Sequence, residues 1–231
     1  MHLPLMRAGA ALALGLLASM AHAGRPLATE DADVLARGEC ELEGYGSREL
    51  ARGQPAVHGA ALQFGCGIDR GLQFALATGR TRSQGDTSTG WAASGKSAIV
   101  PRGEESIGLT LAWLLDARRT PGRSLKHETS ALALVATRAW RADWLAHANL
   151  GWSRSESAGA STATWNLAVE RAVGHGVDLM AEVYGTDRER AWVGTGVRWS
   201  VGERLSLNAS WAVQDGAPRT RNWSLGFKLG F

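Results

Sequence analysis

Apolar and polar residues alternate along most of the chain after residue 38, and the alternation is most regular at residues 221–231. There, every second residue is large and apolar, and the residues between them are small or polar. Because successive side chains of a β-strand point to opposite faces, this pattern predicts strands with one apolar and one polar face. Twelve segments follow it, near 39–50, 57–67, 71–83, 88–100, 105–117, 127–138, 144–155, 163–174, 177–187, 190–201, 204–214 and 221–231.

The lengths of these segments and of their connections predict the architecture. Each segment has about ten residues or slightly more, the length that a tilted strand needs to cross a bilayer. Short connections are expected near 65–70, 101–104, 139–143, 174–176 and 202–203, and longer ones near 48–55, 84–87, 118–126, 156–162, 187–189 and 215–220. This interleaving is typical of an all-β, transmembrane, antiparallel up-and-down β-barrel, here of about 12 strands over residues 39–231. An even strand number places both chain ends on the short-turn, periplasmic side.

A soluble β-sandwich or lipocalin-like barrel would show the same alternation, with its apolar face turned inward. Two features favour the membrane barrel. The polar faces are rich in Gly, Ala, Ser and Asn, which are too small to fill a sandwich core. The chain also has ten Trp against two Tyr and four Phe, many of them towards strand ends, as an interfacial aromatic girdle requires. The predicted girdle residues are Trp113, Trp144, Trp152, Trp165 and Trp211.

The N-terminus predicts export. Arg7 precedes an apolar run over residues 8–18, and Ala21-His22-Ala23 is an A-x-A cleavage site, so residues 1–23 form a secretory signal peptide. The run is too short for a transmembrane anchor. Residues 24–38 lack a strand pattern and are expected either in the barrel lumen or in the periplasm. The formal net charge is only +3 and no basic cluster stands out along the sequence, so we expect no nucleic-acid partner.

Export also governs the interpretation of Cys40 and Cys66, the only two cysteines. In an oxidising compartment a disulfide is expected, with two free buried thiols as the alternative. If the first hairpin is centred on Gly53, Cys40 lies opposite Cys66 on one face, and opposed Cβ atoms lie ~4.5–5.5 Å apart, near disulfide reach. We therefore predict a Cys40–Cys66 disulfide.

Two short regions resemble known outer-membrane proteins. The run 225–231 is similar to the C-terminal signal that the barrel assembly machinery reads in bacterial outer-membrane proteins, and the resemblance implies that machinery as a partner. The residues that carry this signal are Trp223, Leu225, Phe227, Leu229 and Phe231. Residues 25–32 and 38–43 resemble a proteobacterial family of outer-membrane proteins related to the phenol-degradation meta-pathway barrels. That resemblance implies a role in transport.

With the apolar faces towards lipid, the polar faces line the lumen. The lumen-lining candidates are Lys96, His147, Asn149, Glu170, Asp178, Glu182, Arg198, Asn208 and Lys228. Asp178 is expected opposite Arg198 across a hairpin centred near Arg188. These side chains fit either a polar passage for small solutes or a salt-bridged, closed interior. We favour the passage, a passive or facilitated channel in the bacterial outer membrane, over a non-conducting structural or binding barrel.

A membrane-embedded lipid hydrolase is the third, least favoured, reading. It would need a Ser beside a His that Asn or Asp orients. His147, Asn149 and Ser153 share one strand face, but residues four and six apart lie ~13–20 Å from each other. We therefore predict no enzyme activity, no cofactor and no metal.

Overall fold

The computed structural model describes residues 26–103, 106–216 and 218–231, which fold as a closed antiparallel barrel of twelve strands. The strands neighbour one another in chain order, and β1 closes the barrel against β12. Their bounds are β1 Cys40–Ala51, β2 Val57–Asp69, β3 Leu72–Ser83, β4 Asp86–Val100, β5 Gly108–Arg119, β6 Lys126–Arg141, β7 Trp144–Ser155, β8 Ala160–Gly174, β9 Val177–Thr186, β10 Trp192–Val201, β11 Leu205–Gln214 and β12 Thr220–Gly230. The predicted fold class is confirmed. The predicted signal peptide, residues 1–23, lies outside the described residues.

The barrel has two ends, which we call the terminal end, where β1 begins and β12 finishes, and the far end. Connections at the far end are mostly the longer ones, with one exception to the prediction near 84–87. There, β3 and β4 extend to a two-residue turn in which Gln84 has φ 52° and Gly85 has φ 93°, the backbone of a tight hairpin. The link expected to be short at 101–104 instead runs from 101 to 107 at the terminal end, because β5 begins only at Gly108.

The outer surface is apolar and the inner surface is polar or small. Outward side chains in mid-barrel are among the most exposed large hydrophobic residues, up to 70% for Leu225 and 68% for Leu150. A soluble monomer rarely leaves so extensive an apolar band in water. An outward apolar band with a polar interior is typical of barrels surrounded by lipid. No helix among the described residues is long and apolar enough to cross a membrane.

The best-buried side chains of the barrel lie in its interior. Leu114, Val135, Thr110 and Thr137 are each at most 2% exposed, and all four point inward from β5 and β6. Thr110, Val135 and Thr137 contact a stretch of chain that precedes β1, residues 26–38, which enters the lumen. We call this stretch the lumenal segment.

The first hairpin has the register expected from its sequence. Cys40 lies opposite Cys66, and the next pairs on that face are Leu42 with Phe64 and Gly44 with Leu62. Cys40 and Cys66 form a disulfide on the outward face of the terminal end. The predicted pairing is confirmed.

Candidate functional site

The lumenal segment crosses the barrel interior and contacts strands on both sides of it. It begins beside β10, passes β9, β8, β7 and β6 in turn, and leaves along β3 and β2. Of the two locations that the sequence left open for residues 24–38, the described part lies in the lumen. The candidate site is therefore the lumen together with the segment that fills it.

Glu182 of β9 holds the start of the segment. Its carboxylate accepts hydrogen bonds from the backbone N–H groups of Ala28, at 2.9 and 3.0 Å, and of Thr29, at 2.9 Å. The Thr29 hydroxyl donates to the same oxygen at 2.8 Å. Asn166 of β8 donates to the Ala28 carbonyl at 2.9 Å. Hydrogen bonds to a charged acceptor are stronger than neutral ones, so this contact anchors the segment.

Side chains of three further strands bind the backbone of the next residues. Asn149 accepts from the Glu30 N–H at 2.7 Å and donates to the Glu30 carbonyl at 2.9 Å. The Thr137 hydroxyl accepts from the Ala32 N–H at 2.8 Å, and the Thr110 hydroxyl donates to the Ala32 carbonyl at 2.6 Å. Buried backbone groups need such partners, and here the lumen wall supplies them in place of a neighbouring strand.

Two cations bind the acidic middle of the segment. The Lys96 ammonium lies 2.6 Å from the Glu30 carboxylate and 3.2 Å from that of Asp31. It also donates to the backbone carbonyls of Asp31, at 3.1 Å, and Asp33, at 3.0 Å. Arg102, in the link after β4, forms a two-pronged ion pair with the Asp33 carboxylate at 2.7 and 2.8 Å. Lys96 thus binds three residues of the described segment, namely Glu30, Asp31 and Asp33.

The two carboxyls that share Lys96 are shifted in opposite directions. Burial raises the pKa of Glu30, and the neighbouring Lys96 offsets this only in part. Burial also disfavours the ionised form of Asp31, but the charges of Lys96 and Lys228 outweigh it and lower the pKa of that carboxyl. Asp31 therefore stays ionised at neutral pH and keeps its attraction to Lys96.

Two glycines make room for the segment. A Cβ atom at Gly67 of β2 would collide with the backbone carbonyls at positions 35–36, and one at Gly196 of β10 would lie 2.7 Å from the Pro26 ring. Beside Gly67 the Leu35 N–H donates to the Gln73 side chain at 3.1 Å. The absence of side chains at these two wall positions lets the segment lie directly against the strands.

The segment also buries apolar side chains. Leu27 is 3% exposed and Ala32 is 4% exposed. Each sits in a small cluster with wall residues, Leu27 with Ala168 and Met180, and Ala32 with Ala112 and Val135. The interior is therefore packed as a small core, and it is not a water-filled tube at this level.

All nine predicted lumen-lining residues point inward, but they do different things. Three of them, Lys96, Asn149 and Glu182, bind the lumenal segment. The other six contact the wall or one another, namely His147, Glu170, Asp178, Arg198, Asn208 and Lys228.

Two ion-pair groups lie within the wall itself. Arg198 pairs with Asp178 at 3.0 Å, as its opposed position predicted, and also with Glu170. Lys228 pairs with Glu43 at 2.8 Å and with Glu41 at 3.1 Å. These groups connect neighbouring strands and form no hydrogen bond or ion pair with the described part of the segment.

The hydroxyl group beside His147 belongs to Thr137 and not to a serine. The His147 Nδ1 lies 3.0 Å from the Thr137 hydroxyl, which itself binds the segment, and its Nε2 lies 3.9 Å from Glu170. Ser153, on the same strand, is not among its partners. The described residues contain no cluster of His, Cys, Asp or Glu suited to a metal ion. The expectation of no enzyme activity stays a prediction.

A small polar cavity of about 180 Å³ remains between the segment and the wall towards the terminal end. Most of the charged side chains that line it are acidic, and the two basic ones are Lys96 and Lys228. The size suits several water molecules, since one water occupies about 30 Å³ of liquid.

The predicted girdle residues all point outward, at different heights. Trp152 and Trp211 lie near the far end and Trp144 at the terminal end, whereas Trp165 is closer to mid-barrel and Trp113 is in the middle of β5. The predicted assembly-signal residues also point outward from β12 and its end, and Phe231 stacks on Phe64 with ring centroids 5.9 Å apart. Their roles stay predictions.

Sequence reasoning missed Thr110, Thr137 and the segment's own acidic residues as parts of the site. Thr110 and Thr137 occupy inward positions of strands, but a threonine carries no sign of a backbone partner 105 residues away. A usable signal was the run Glu30-Asp31-Ala32-Asp33, which is acidic, lacks strand alternation and precedes a barrel with inward cations.

Comparisons with known proteins identify a family and a fold. A family model described as "Uncharacterised conserved protein UCP029691" matches residues 11–227. No curated protein matches the chain. The resemblance of residues 25–32 and 38–43 to the phenol-degradation barrels gains no support from these matches.

Among solved structures, the chain is similar to outer-membrane barrels. The KdgM porin in complex with disordered oligogalacturonate has a TM-score of 0.60 at 9% identity, covering 82% of this chain and 99% of that one. The NanC porin has a TM-score of 0.62 at 7% identity, covering 81% and 98%. The β domain of the Bordetella autotransporter BrkA has a TM-score of 0.51 at 18% identity, covering 82% and 98%. Identities this low establish the shared fold alone.

Proposed function

We propose that this chain, which belongs to the family described as uncharacterised conserved protein UCP029691, is a channel of the bacterial outer membrane that its lumenal segment closes at rest. The observation that carries the proposal is the segment itself, bound across the lumen by wall side chains of several strands. Most of these contacts are hydrogen bonds or ion pairs. Water can replace such contacts at modest net cost, so withdrawal of the segment is physically accessible.

An emptied lumen would favour cations and neutral polar solutes. Carboxylates outnumber cations among the inward side chains of the strands: Glu41, Glu43, Glu49, Asp116, Glu128, Glu170, Asp178 and Glu182 against Lys96, Arg118, Arg198 and Lys228. KdgM was solved with oligogalacturonate, an acidic oligosaccharide, but an interior with this charge balance does not favour a polyanion.

The location is part of the proposal. The signal peptide would export the chain, the barrel assembly machinery would insert it, and both chain ends would face the periplasm. Cleavage before Gly24 would leave the new N-terminus two residues before Pro26. Membrane fractionation followed by N-terminal sequencing tests this: we expect the outer-membrane fraction and a start at Gly24, and an intact residue 1 or a soluble protein would contradict it.

Single-channel recording with a matched pair of variants tests the closure. Lys96→Met removes the ammonium that binds Glu30 and Asp31, leaving two buried carboxylates without a cation, so the segment should leave the lumen. Lys228→Met removes an equal charge and also leaves two wall carboxylates, Glu41 and Glu43, without their cation, but it breaks no hydrogen bond or ion pair with the segment. We expect discrete current steps for Lys96→Met, with a cation-selective reversal potential. For the unchanged protein and for Lys228→Met we expect no current steps.

Both variants are first verified as folded by heat-modifiable migration in gels. Equal current steps in the parent and in Lys96→Met would contradict closure by the segment. A silent Lys96→Met barrel, verified as folded, would contradict the channel itself. That outcome would favour the second candidate, a non-conducting structural or binding barrel, which the burial of Leu27 and Ala32 against the wall supports.

A further inference from the structure

Five basic side chains gather on the outside of the barrel near its far end. In the strand register Arg48 lies opposite His58, which lies opposite Arg82, and one outward row lower Arg80 lies opposite Thr89, which lies opposite Arg119. All five are exposed and occupy the outward positions of β1, β2, β3 and β5. We call Arg48, His58, Arg80, Arg82 and Arg119 the outer basic cluster.

The outer basic cluster has no acidic counterpart. Apart from Asp69 at the terminal end of β2, no Asp or Glu stands at an outward position of β1–β5 or β12. None of the five forms an ion pair with another described residue. Two outward arginines elsewhere do have acidic partners: Arg154 pairs with Glu156 at 2.8 Å, and Arg171 with Asp143 at 3.3 Å. The cluster is therefore a local excess of positive charge that no described residue neutralises by an ion pair.

The height of the cluster corresponds to a membrane interface. Trp223 lies directly opposite Arg48, and Trp91 occupies the outward row just below Arg80. Outward tryptophans mark the level of lipid headgroups in membrane barrels. Below them the outward surface is apolar, with Leu62 50% and Leu76 56% exposed. Headgroups of the adjacent leaflet would thus lie at the level of the five basic side chains.

An apolar groove runs down the outer surface from the cluster. It has a volume of about 500 Å³ and forms because the outward positions of β1 and β2 here are small, notably Gly46 and Ala60. Arg80 and Thr89 border its upper part, and Leu62 and Phe227 its lower part. A Cβ atom added at Gly46 would have only one neighbour within 4 Å, at 3.9 Å, so the groove is open space and not a packed seam.

We propose that the outer basic cluster and this groove form a binding site for a lipid that carries a phosphomonoester headgroup. The guanidinium groups of Arg80 and Arg82 would bind the phosphate oxygens, and an acyl chain would fill the groove below. Arginine suits phosphate because its planar fork donates two hydrogen bonds at once. A free anion would interact only with the basic side chains. A lipid would place its headgroup beside these side chains at the level of the membrane interface, and its acyl chain would also fill the groove.

This inference rests on the proposed membrane location, but it does not depend on the channel or on the lumenal segment. The residues involved point outward and contact no residue of the lumen network. A failure of the conductance test would therefore leave lipid binding intact, and a failure of lipid binding would leave conductance intact.

Native mass spectrometry of the folded, full-length mature chain in a neutral detergent tests the site. The probes are phosphatidic acid and phosphatidylcholine with identical acyl chains, so that only the headgroup charge differs. We expect phosphatidic acid to bind at least about tenfold more tightly. Arg80→Gln with Arg82→Gln should weaken its binding about 25-fold, since each basic group near an anionic surface contributes about fivefold.

Three controls separate the outcomes. Arg154→Gln with Arg171→Gln also removes two outward charges, but paired ones, and should leave binding within about twofold. Arg80→Lys with Arg82→Lys should retain much of the binding, because the charge remains. Ala60→Phe fills the groove and should weaken the lipid without removing a charge.

Four results would overturn the proposal. The first is equal binding of the two lipids, and the second is undiminished binding of phosphatidic acid to the variant Arg80→Gln with Arg82→Gln. The third is that inorganic phosphate competes for the site while Ala60→Phe binds the lipid normally. The fourth is a dimer that forms without lipid and that Arg80→Gln with Arg82→Gln dissociates. The third would indicate a free-anion site, and the fourth a protein interface. The single variants Arg80→Gln and Arg82→Gln, expected to lose about fivefold each, keep the test decisive if the double variant does not fold.

Discussion

The cations Arg198 and Lys96 inside the barrel form ion pairs, whereas the basic side chains of the outer basic cluster do not. Inside, Arg198 holds Asp178 and Glu170, and Lys96 holds Glu30 and Asp31, so each cation has at least two acidic partners. Outside, the outer basic cluster has none. Buried charges need internal partners, because no solvent is available to stabilise them. Exposed charges without partners remain available to a ligand, so the inner charges hold the structure closed and the outer ones can bind.

Removing an inner cation should have the largest effect. Arg198→Ala leaves two half-buried carboxylates on adjacent strands without a cation, and we expect a loss of about 3–4 kcal/mol in the free energy of unfolding. Urea unfolding in lipid vesicles, followed by tryptophan fluorescence, measures it. A variant that also carries Glu170→Gln and Asp178→Asn should recover most of the loss. A loss below about 1 kcal/mol for Arg198→Ala is the size expected of a surface ion pair, and it would contradict the large contribution expected of this inner group.

The second-largest effect is expected on removing the carboxylate that accepts hydrogen bonds from the start of the lumenal segment. Glu182→Ala leaves the N–H groups of Ala28 and Thr29 without their carboxylate partner, at a cost of about 2–3 kcal/mol to the docked segment. Because the loss falls on the segment, hydrogen exchange over residues 27–33 should accelerate more than exchange in the strands. Equal acceleration throughout would contradict an independently bound segment. Glu203→Ala, an exposed acid in the turn after β10, is the control.

Removing an outer charge should have the smallest effect on stability. Arg80→Ala deletes the same group as Arg198→Ala, but from a position with no ion pair, so the free energy of unfolding in neutral detergent should change by less than about 0.5 kcal/mol. Arg154→Ala, which breaks an exposed pair with Glu156, should cost no more than about 1 kcal/mol. A large loss for Arg80→Ala would show that the outer basic cluster has a structural partner.

The parts of the fold that repeat every two residues could be predicted from the sequence. Alternation placed the strands and set inward against outward side chains, and the symmetry of the first hairpin about Gly53 placed Cys40 opposite Cys66. The pair Asp178–Arg198 followed in the same way. In each case the prediction needed only the strand period and one turn position.

The lumenal segment could not be predicted in this way. Its contacts are hydrogen bonds between wall side chains and its own backbone, such as Thr137 with Ala32 across 105 residues, and no local period encodes them. Lys96 was predicted to point inward, but its partners lie outside the strands. The sequence therefore indicated a polar lumen, favoured a passage and left residues 24–38 either in the lumen or in the periplasm. The three-dimensional arrangement placed the described part of that stretch in the lumen.

The occupation of the lumen can be tested most directly by thiol accessibility at two alanines of the same segment. Ala32 is 4% exposed and contacts Val135, whereas Ala36 is exposed near the terminal end. Ala32→Cys and Ala36→Cys, folded in vesicles, are treated with a membrane-impermeant maleimide and quantified by mass spectrometry. We predict rapid labelling at position 36 and at least about tenfold slower labelling at position 32, a local opening free energy above about 1.4 kcal/mol. Equal rates at the two positions, with unfolded protein labelling equally well, would contradict a lumen closed by residues 26–38.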